Sequence, residues 1–433
     1  MHSKTGQDFR PGPCGGANCH VHSVFRVSCT PSGRRGQEGV SSGRLSPTVS
    51  KTQPGLLNEQ RPVESRLVGK LTATAACLRT AGSKPCLRFG RETHRSVASG
   101  GEAVSGRGWG PWSRIKLEAL SDYLNAFTRA SKTAKYTLYL DLFAGAPDNF
   151  ERGTGNVILG SGHRALSTEP AFDRVVLCEL QQRTADTLRK KLEAAHPNRD
   201  LVVLPGDCNV EIPKHLNTYG LSWRRGAAVF AMVDQYSAEI TWDTLRYLAN
   251  WRQNQRGFKI ELWLYFGHAL LPRGLQFTGD EPDPEYAQRV DRMFGTPQWR
   301  ELWQARRDRM LNAEQFRNEL VNLMRWRLEK ELGYATTIPL EFTNTNGHPI
   351  YTVIFASANA TGNKIMESVF AKHGVALEKM RTTRKVERRV AKDRDEGLFG
   401  TEELVELATK APVREPLAPP VEPMRYALDD DHA

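Results

Sequence analysis

The stretch from Tyr136 to Asn149 constrains the fold of this chain more than any other. It begins as a short apolar run of aromatic and β-branched residues, which is typical of a buried strand. The run ends at Asp141 and passes into a turn marked by Gly145. In an open α/β sheet, the loop leaving the first strand holds nucleotide-like ligands, and glycine lets the backbone approach them closely. The stretch therefore predicts the first strand and the ligand loop of such a sheet.

Strands and helices alternate after this stretch, and many of the strands end in polar residues. Strands are predicted at 174–179, 201–204, 227–233 and 260–266, and helices at 112–129, 182–195, 240–251 and 365–373. Two last strands, 336–343 and 350–357, flank a short loop with Asn346-Gly347, which is typical of an antiparallel hairpin. The order predicts a Rossmann-like α/β fold with a mostly parallel sheet and one antiparallel member at its edge. This architecture is characteristic of class I methyltransferases.

The positive charge of the chain is concentrated at its N-terminus. The formal net charge is +11 over 433 residues, and residues 1–105 hold 15 basic and 6 acidic side chains. The rest of the chain is nearly neutral, so the charge says little about the partners of the folded part. Residues 1–105 are rich in Gly, Ser, Pro and Arg without helical or strand periodicity, which predicts a disordered extension. A downstream start, with this segment a misassigned extension, is the alternative.

The predicted domain of 106–376 has a long glycine-rich insertion after its first strand and a mainly helical insertion at about 284–332. Residues 377–433 are charged and Pro-rich, which predicts a largely mobile tail. No apolar run is long enough to span a bilayer and no signal pattern begins the chain, so a cytoplasmic protein is expected.

The seven cysteines and the histidines give no metal-ligand pattern. Five cysteines lie in the first 105 residues without forming a CxxC pair: Cys14, Cys19, Cys29, Cys77 and Cys86. Cys178 and Cys208 occupy apolar contexts and are predicted to be small buried residues. No metal site is predicted.

Four carboxylates follow predicted strands, at the edge where ligands bind in such sheets. Asp141 would fix the turn and face an ammonium group, and Glu179 would bind a ribose. Asp207 would meet an adenine amino group, and Asp234 would lie where a group is transferred. The structural alternative for each is an ordinary strand-end or helix-capping residue.

Several motifs together resemble the three-Cys-motif partner protein family over roughly residues 112–375. The matching segments are Lys116-Leu-Glu-Ala-Leu-Ser-Asp-Tyr-Leu124, Asp141-Leu-Phe-Ala-Gly145, Gly160-Ser-Gly162, Phe230-Ala-Met-Val-Asp234-Gln-Tyr236 with Trp242 after it, and Tyr351-Thr-Val-Ile-Phe-Ala-Ser357 with Lys364-Ile-Met366 after it. Members of this family look like class I S-adenosylmethionine-dependent methyltransferases. They are encoded beside a three-cysteine protein related to radical S-adenosylmethionine enzymes.

The resemblance implies a cofactor, a partner and a set of site residues. The cofactor would be S-adenosylmethionine and the partner would be the neighbouring three-cysteine protein. The cofactor-binding residues implied are Asp141, Phe143, Gly145, Glu179 and Asp207, and the catalytic residues implied are Asp234 and Tyr236.

Three departures from the family pattern count against tight cofactor binding and turnover. Ala146-Pro147 replaces Pro-Gly in the first loop, Gly160-Ser161-Gly162 replaces Gly-Ser-Pro, and Gln235 replaces the proline that stiffens the turn after Asp234. The alternative is a binding partner with weak or no turnover, in nucleic-acid processing or phage defence. Arg- and Trp-rich helices at 289–330 would supply its nucleic-acid surface, or would simply be a solvated face over buried aromatics. A dehydrogenase is a distant third, because no G-x-G-x-x-G motif follows the first strand.

Overall fold

A computed structural model describes residues 108–152, 154–252, 256–268, 271–277, 279–393, 401–409 and 417–423. The predictions for residues 1–105, including the five cysteines there, lie outside these residues. Among the described helices, none has the length and apolar composition needed to cross a membrane.

Ten strands and twelve helices occur in the described residues. The strands are β1 (Gly108–Trp109), β2 (Tyr136–Asp141), β3 (Asp148–Glu151), β4 (Val157–Leu159), β5 (Arg174–Glu179), β6 (Leu201–Pro205), β7 (Ala227–Val233), β8 (Glu261–Phe266), β9 (Thr336–Thr343) and β10 (Pro349–Ser357). The helices are α1 (Pro111–Ala130), α2 (Ser161–Leu166), α3 (Gln182–Ala195), α4 (Cys208–Leu216), α5 (Leu221–Gly226), α6 (Trp242–Trp251), α7 (Leu271–Leu275), α8 (Pro284–Phe294), α9 (Trp299–Arg307), α10 (Ala313–Lys330), α11 (Ala360–Asp393) and α12 (Thr401–Ala408).

Seven strands form one central sheet in the order β6-β5-β2-β7-β8-β10-β9. The pairings among β2, β5, β6, β7 and β8 are all parallel, and β10 is antiparallel to both β8 and β9. Chain order reverses direction at β2, which is the topological switch point where such sheets bind ligands. The predicted Rossmann-like methyltransferase fold with an antiparallel C-terminal hairpin is confirmed.

The sequence predicts that the antiparallel strand lies at the edge of the sheet, and this position is wrong. β10 lies between β8 and β9, and β9 occupies the edge. A hairpin can dock on a sheet through either of its strands, and the β10 residues Thr352–Ala356 pair with β8. β10 is the more apolar of the two strands and its residues from Tyr351 onward are buried, so it takes the inner position.

Helices cover both faces of the sheet, so the central strands are buried on both sides. Leu138 and Leu140 of β2 face one core with α6, α8, α9 and α10, whereas Tyr139 faces the other with α1, α3 and α11. This alternation is the period-2 geometry of a strand. The predicted buried cysteines, Cys178 and Cys208, are free thiols within the first core.

The glycine-rich insertion after β2 contributes β3 and β4 to a small second sheet of order β1-β3-β4. β3 and β4 are an antiparallel pair, and the two residues of β1 add to β3 in parallel. The insertion then returns to the main sheet through α2, which begins at Ser161.

The C-terminal part of the chain contains more regular structure than the sequence predicts. The predicted helix 365–373 extends from Ala360 to Asp393, because apolar residues such as Leu377 continue its buried face beyond His373. Further along the chain, the backbone N–H of Val421 donates to the side chain of Asn322 on α10 at 3.0 Å.

Candidate functional site

A crevice of about 360 Å³ lies at the carboxyl ends of β2, β5, β6 and β7. Small-molecule sites of this size are common at the switch point of an α/β sheet. Four residues predicted from the sequence line it: Phe143, Glu179, Asp207 and Tyr236. Apolar side chains, including the exposed Leu180, complete much of the wall.

Glu179 ends β5 and connects two loops at the crevice. Its Oε2 accepts a hydrogen bond from the Gly145 N–H at 3.1 Å, and its Oε1 accepts one from the Gln181 N–H at 3.0 Å. Gly145 has φ +64°, a left-handed conformation that a residue with a Cβ rarely adopts. Each carboxylate oxygen can accept a second bond. Glu179 therefore holds the first loop and keeps acceptor capacity toward the crevice.

Asp207 caps the N-terminus of α4, where its side chain accepts from the Asn209 N–H at 2.9 Å. Asn209 extends the link across the crevice, since its amide Nδ2 donates to the Glu239 carbonyl at 3.0 Å. Its Oδ1 accepts from the Thr241 N–H at 2.9 Å and the Thr244 hydroxyl at 2.8 Å. Asn209, which the sequence analysis did not single out, thus joins the loops after β6 and β7.

Asp141 is fully buried beneath the first loop and is absent from the residues that line the crevice. Its side chain accepts from the Phe143 N–H at 3.1 Å and the Tyr139 hydroxyl at 3.2 Å. Burial raises the pKa of the Asp141 carboxyl to about 6, against the lowering effect of hydrogen bonds such as that from Ser161. The structure therefore gives Asp141 the predicted turn-fixing position, but not one facing an ammonium group.

Asp234 follows β7 and forms an ion pair with Lys116 of α1. The Lys116 ammonium lies 2.7 Å from Oδ1 and 2.5 Å from Oδ2. Only 9% of the lysine side chain and 25% of the aspartate side chain are exposed. The ammonium also lies 5.6 Å from the ring centre of Tyr265 and 5.7 Å from that of Tyr351, within cation–π range. We call these four residues the Lys116–Asp234 cluster.

The two tyrosines of the cluster come from adjacent antiparallel strands, with ring centres 4.4 Å apart. The Tyr351 hydroxyl is buried and has no hydrogen-bond partner among the described residues. Burial, with the Asp234 charge as a smaller cause, raises the pKa of both phenols, so each keeps its proton at neutral pH. Tyr351 therefore offers a free donor and acceptor beside the ion pair.

Gln235 stands where the family pattern has a proline after the aspartate, and its side chain stabilises the turn through hydrogen bonds. It is buried, and its Nε2 donates to the Tyr265 carbonyl at 3.2 Å. Its Oε1 accepts from the Glu239 and Ile240 N–H groups, each at 3.0 Å. These bonds tie the loop after β7 to β8, so this loop is held without proline.

Tyr236 projects from the same loop with 66% of its surface exposed, and lines the crevice. Two arginines of α8, Arg289 and Arg292, line the opposite wall. Arg289 pairs with Glu239 at 2.9 Å. In the Arg- and Trp-rich region that begins with α8, Trp299 and Trp303 are buried in the core.

The predicted site residues thus lie in three places: the crevice, the adjoining Lys116–Asp234 cluster, and the first loop. Phe143, Glu179, Asp207 and Tyr236 line the crevice; Asp234 belongs to the Lys116–Asp234 cluster; Asp141 and Gly145 lie under the first loop or within it. The sequence analysis missed Lys116 and both tyrosines of the cluster. A lysine between Ile115 and Leu117 on an apolar helix face was the available signal.

Comparisons with known proteins give structural likenesses alone. No family model and no curated protein matches the chain. Protein LPL1258 of the DUF519 family, from Legionella pneumophila, is 13% identical over 61% of this chain and 92% of its own, with a TM-score of 0.37. The O-methyltransferase TomG from Streptomyces achromogenes, solved with S-adenosylmethionine, is 16% identical over 55% and 80%, with a TM-score of 0.30.

A third similar structure is the O-methyltransferase from Bacillus cereus, which is 12% identical over 57% of this chain and 90% of its own, with a TM-score of 0.30. These structures include S-adenosylmethionine-dependent methyltransferases at low identity. The strand order, rather than these likenesses, defines the fold. Membership of the three-Cys-motif partner family stays a prediction.

Proposed function

We propose that this protein is an S-adenosylmethionine-dependent methyltransferase. The observation that carries the proposal is the position of Glu179, which ends β5, and Asp207, which follows β6. Both line one crevice at the carboxyl edge of a methyltransferase-type sheet. A fold alone does not establish an activity, so the proposal depends on these side chains.

The crevice fits the adenosine part of the cofactor. Glu179 keeps acceptor capacity for ribose hydroxyls, because the two backbone N–H groups leave one lone pair on each oxygen. Asp207 is exposed and would accept from an adenine amino group. Leu180 and Phe143 supply the apolar surface that a flat ring requires.

The Lys116–Asp234 cluster adjoins the crevice through the loop that carries Tyr236, and we assign it to the methyl acceptor. Tyr351 would donate to or accept from the acceptor, since its hydroxyl is otherwise unpartnered among the described residues. Lys116 keeps the Asp234 carboxylate in one position and compensates its charge. Tyr236 would cover the acceptor from the exposed side.

When bound, the cofactor supplies an electrophilic methyl group on a sulfonium. The residues of this chain would orient the acceptor and exclude water, which is most of what a methyl transfer requires of a protein. Because burial keeps both phenols of the cluster protonated, they would act as hydrogen-bond donors and not as bases at neutral pH.

The test is calorimetric titration of the full chain with S-adenosylmethionine and S-adenosylhomocysteine. Asp207→Asn keeps a side chain that caps helices well, and we expect it to weaken binding roughly tenfold through one lost charge-assisted bond. Glu193→Gln on the exposed surface of α3 is the matched control and should bind like the parent. Absence of binding of either compound at millimolar concentration overturns the proposal.

One observation favours the second candidate, a binding partner without turnover. Both oxygens of Asp234 already accept from Lys116, so this carboxylate is less free to hold an acceptor. In this version the chain would act with the three-cysteine protein, and co-purification of the two is the measurement. Cofactor binding without methyl transfer in the presence of that partner would support it, and transfer of a labelled methyl group would exclude it.

A further inference from the structure

A second and larger cavity lies at the opposite edge of the sheet, where β7 and β8 begin. Its volume is about 1020 Å³, and its walls come from the end of α1, the segments before β7 and β8, and the start of α11. The crevice and this cavity are therefore separated by the length of the strands. What the cavity binds does not depend on the proposed methyltransferase activity.

Five of the twenty residues that line this cavity are basic, and we call the site the basic cavity. The five basic residues are Lys135, Arg225, Arg252, Arg256 and Lys259. Within the part of the chain that the structure describes, none of the five has a carboxylate at salt-bridge distance. Unpaired cations gathered in a recess repel one another and attract anions.

The acidic residue that lines the cavity, Glu261, interacts electrostatically with Arg252 but forms no salt bridge with any of the five cations among the described residues. It is fully buried at the base of the cavity, where its Oε2 accepts from the Tyr123 hydroxyl at 2.5 Å and its Oε1 from the Ser357 hydroxyl at 2.9 Å. Burial is the largest cause that raises the pKa of Glu261, to about 7. One carboxyl group, protonated or charged, cannot balance five cations, so a surplus of positive charge remains in the cavity.

Arg252 shows the surplus most clearly. Its Nε is buried without a hydrogen-bond partner among the described residues, and its Nη1 reaches the Lys259 carbonyl at only 3.5 Å. Burial lowers the pKa of the guanidinium to about 10, so it stays charged at neutral pH. A buried donor atom without a partner, such as this Nε, is costly to the folded state. An anion in the cavity would supply the missing acceptor.

The N-terminus of α11 also lies against the cavity, with Asn359, Thr361 and Gly362 in its wall. The first turn of a helix carries positive partial charge and attracts anions. Gly362 permits this position, because a Cβ there would clash with Oε1 of Glu261. The helix terminus thus adds to the field of the five side chains.

We propose that the basic cavity binds a small anion that carries two or more phosphates, such as pyrophosphate or a nucleoside polyphosphate. Five cations around one recess match a ligand of several negative charges better than a single phosphate. A nucleic acid strand would instead require cations along an extended stripe. The volume lies near the upper end for small-molecule sites, which leaves space for a nucleoside beside its phosphates.

The experiment is calorimetric titration of the full chain with inorganic pyrophosphate and, separately, with ATP at low salt. The test variant is Arg225→Gln with Arg256→Gln, because both side chains are exposed and their removal should leave the fold intact. We expect at least tenfold weaker binding of both compounds. The matched control is Arg388→Gln with Arg389→Gln, on the exposed surface of α11, which changes the net charge equally.

Competition identifies which part of the ligand is recognised. Displacement of ATP by pyrophosphate supports a phosphate site, and the tighter of the two compounds indicates whether a nucleoside is also bound. The proposal is overturned if neither compound binds, if the control loses as much affinity as the test variant, or if pyrophosphate fails to displace ATP. It is also overturned if a single-stranded oligonucleotide binds there and pyrophosphate does not displace it.

Discussion

The two edges of the central sheet differ in the sign of their charged side chains and in whether those side chains are paired. At the carboxyl edge, the side chains that matter are acidic and each already has partners: Glu179 accepts two backbone N–H groups, and Asp234 holds Lys116. At the amino edge, the important side chains are basic and lack acidic partners among the described residues, as Arg225 and Arg256 illustrate.

Charged side chains therefore have different roles at the two edges of this fold. Acids at the carboxyl edge are used first to hold loops, and only their remaining capacity faces a ligand. The cations at the amino edge have no salt-bridge partner among the described residues, and the exposed Arg225 and Arg256 remain available to a ligand. We therefore expect substitutions at the first edge to affect stability as well as binding, and substitutions of exposed residues at the second edge to affect binding alone.

The largest expected effect concerns Glu261, the acid that breaks this pattern by lying at the amino edge. Its folded pKa of about 7 exceeds the usual value near 4.5. A raised carboxyl pKa means that the stability contribution is complete at low pH and is lost as the pH rises through about 7. The loss corresponds to roughly 3 kcal/mol for this fully buried group.

Glu261→Gln should therefore flatten the fall in unfolding free energy between pH 4.5 and 7.5, measured by urea denaturation. Asp141, whose pKa is also raised, contributes a change of the same sign and remains in both proteins. Parallel curves for Glu261→Gln and the parent would contradict the assignment. Glu193→Gln on α3 serves as the control for removal of one acid.

Lys116→Met tests the carboxyl edge against the amino edge directly. Removing one member of a buried ion pair strands the other, and since a quarter of the Asp234 side chain is exposed we expect a loss of about 2 kcal/mol. Arg225→Met removes a cation of the basic cavity and should leave the unfolding free energy unchanged within about 0.5 kcal/mol. Equal losses of unfolding free energy in the two variants would contradict the distinction between paired charges at one edge and unpaired charges at the other.

Asn209→Ala tests whether the crevice depends on the bridge between its loops. The variant loses bonds to Glu239, Thr241 and Thr244, and we expect it to be destabilised by 1 to 2 kcal/mol, at about the cost of one or two net hydrogen bonds. Binding of S-adenosylhomocysteine should weaken too. Asn250→Ala is the control, because within the described residues the Asn250 side chain bonds to its own helix, and an equal effect in both variants would contradict the role of the bridge.

The smallest expected effect comes from salt. Raising sodium chloride from 50 to 500 mM should weaken binding of pyrophosphate several-fold, because the cations of the basic cavity are partly solvated and therefore screened. Binding of S-adenosylhomocysteine, which has no net charge at neutral pH, should change less than twofold over the same range. Equal salt dependence of the two ligands would argue that both occupy one kind of site.

The fold could be predicted from sequence because its signal is local. Apolar runs that end in Asp141 or Glu179, separated by amphipathic helices, specify parallel strands and the edge at which their ends meet. The hairpin could also be predicted from Asn346-Gly347. Which of its two strands pairs with β8 could not be predicted in this way. That choice depends on long-range burial, which no short stretch of sequence reports.

The candidate site was predicted only in part, for the same reason. Lys116 and Asp234 are far apart in the chain, and nothing near either residue indicates that they meet. The role of Gln235 was equally hidden, since a departure from the family pattern indicates a lost proline and not the hydrogen bonds that replace it. The basic cavity draws its cations from three separate segments, so no charge cluster marks it in the sequence.

Because β10 lies between β8 and β9 in the sheet, β8 lacks one of its neighbours until late in translation. On the ribosome, β8 emerges well before its neighbour, because α7 to α10 and β9 must all be made first. Until Pro349–Ser357 has been translated, one side of β8 is an open row of backbone donors and acceptors beside an apolar surface. β9, made in the meantime, has no strand to pair with. Any shortened product that ends before Pro349 would therefore expose an unpaired apolar strand, which is a site for aggregation.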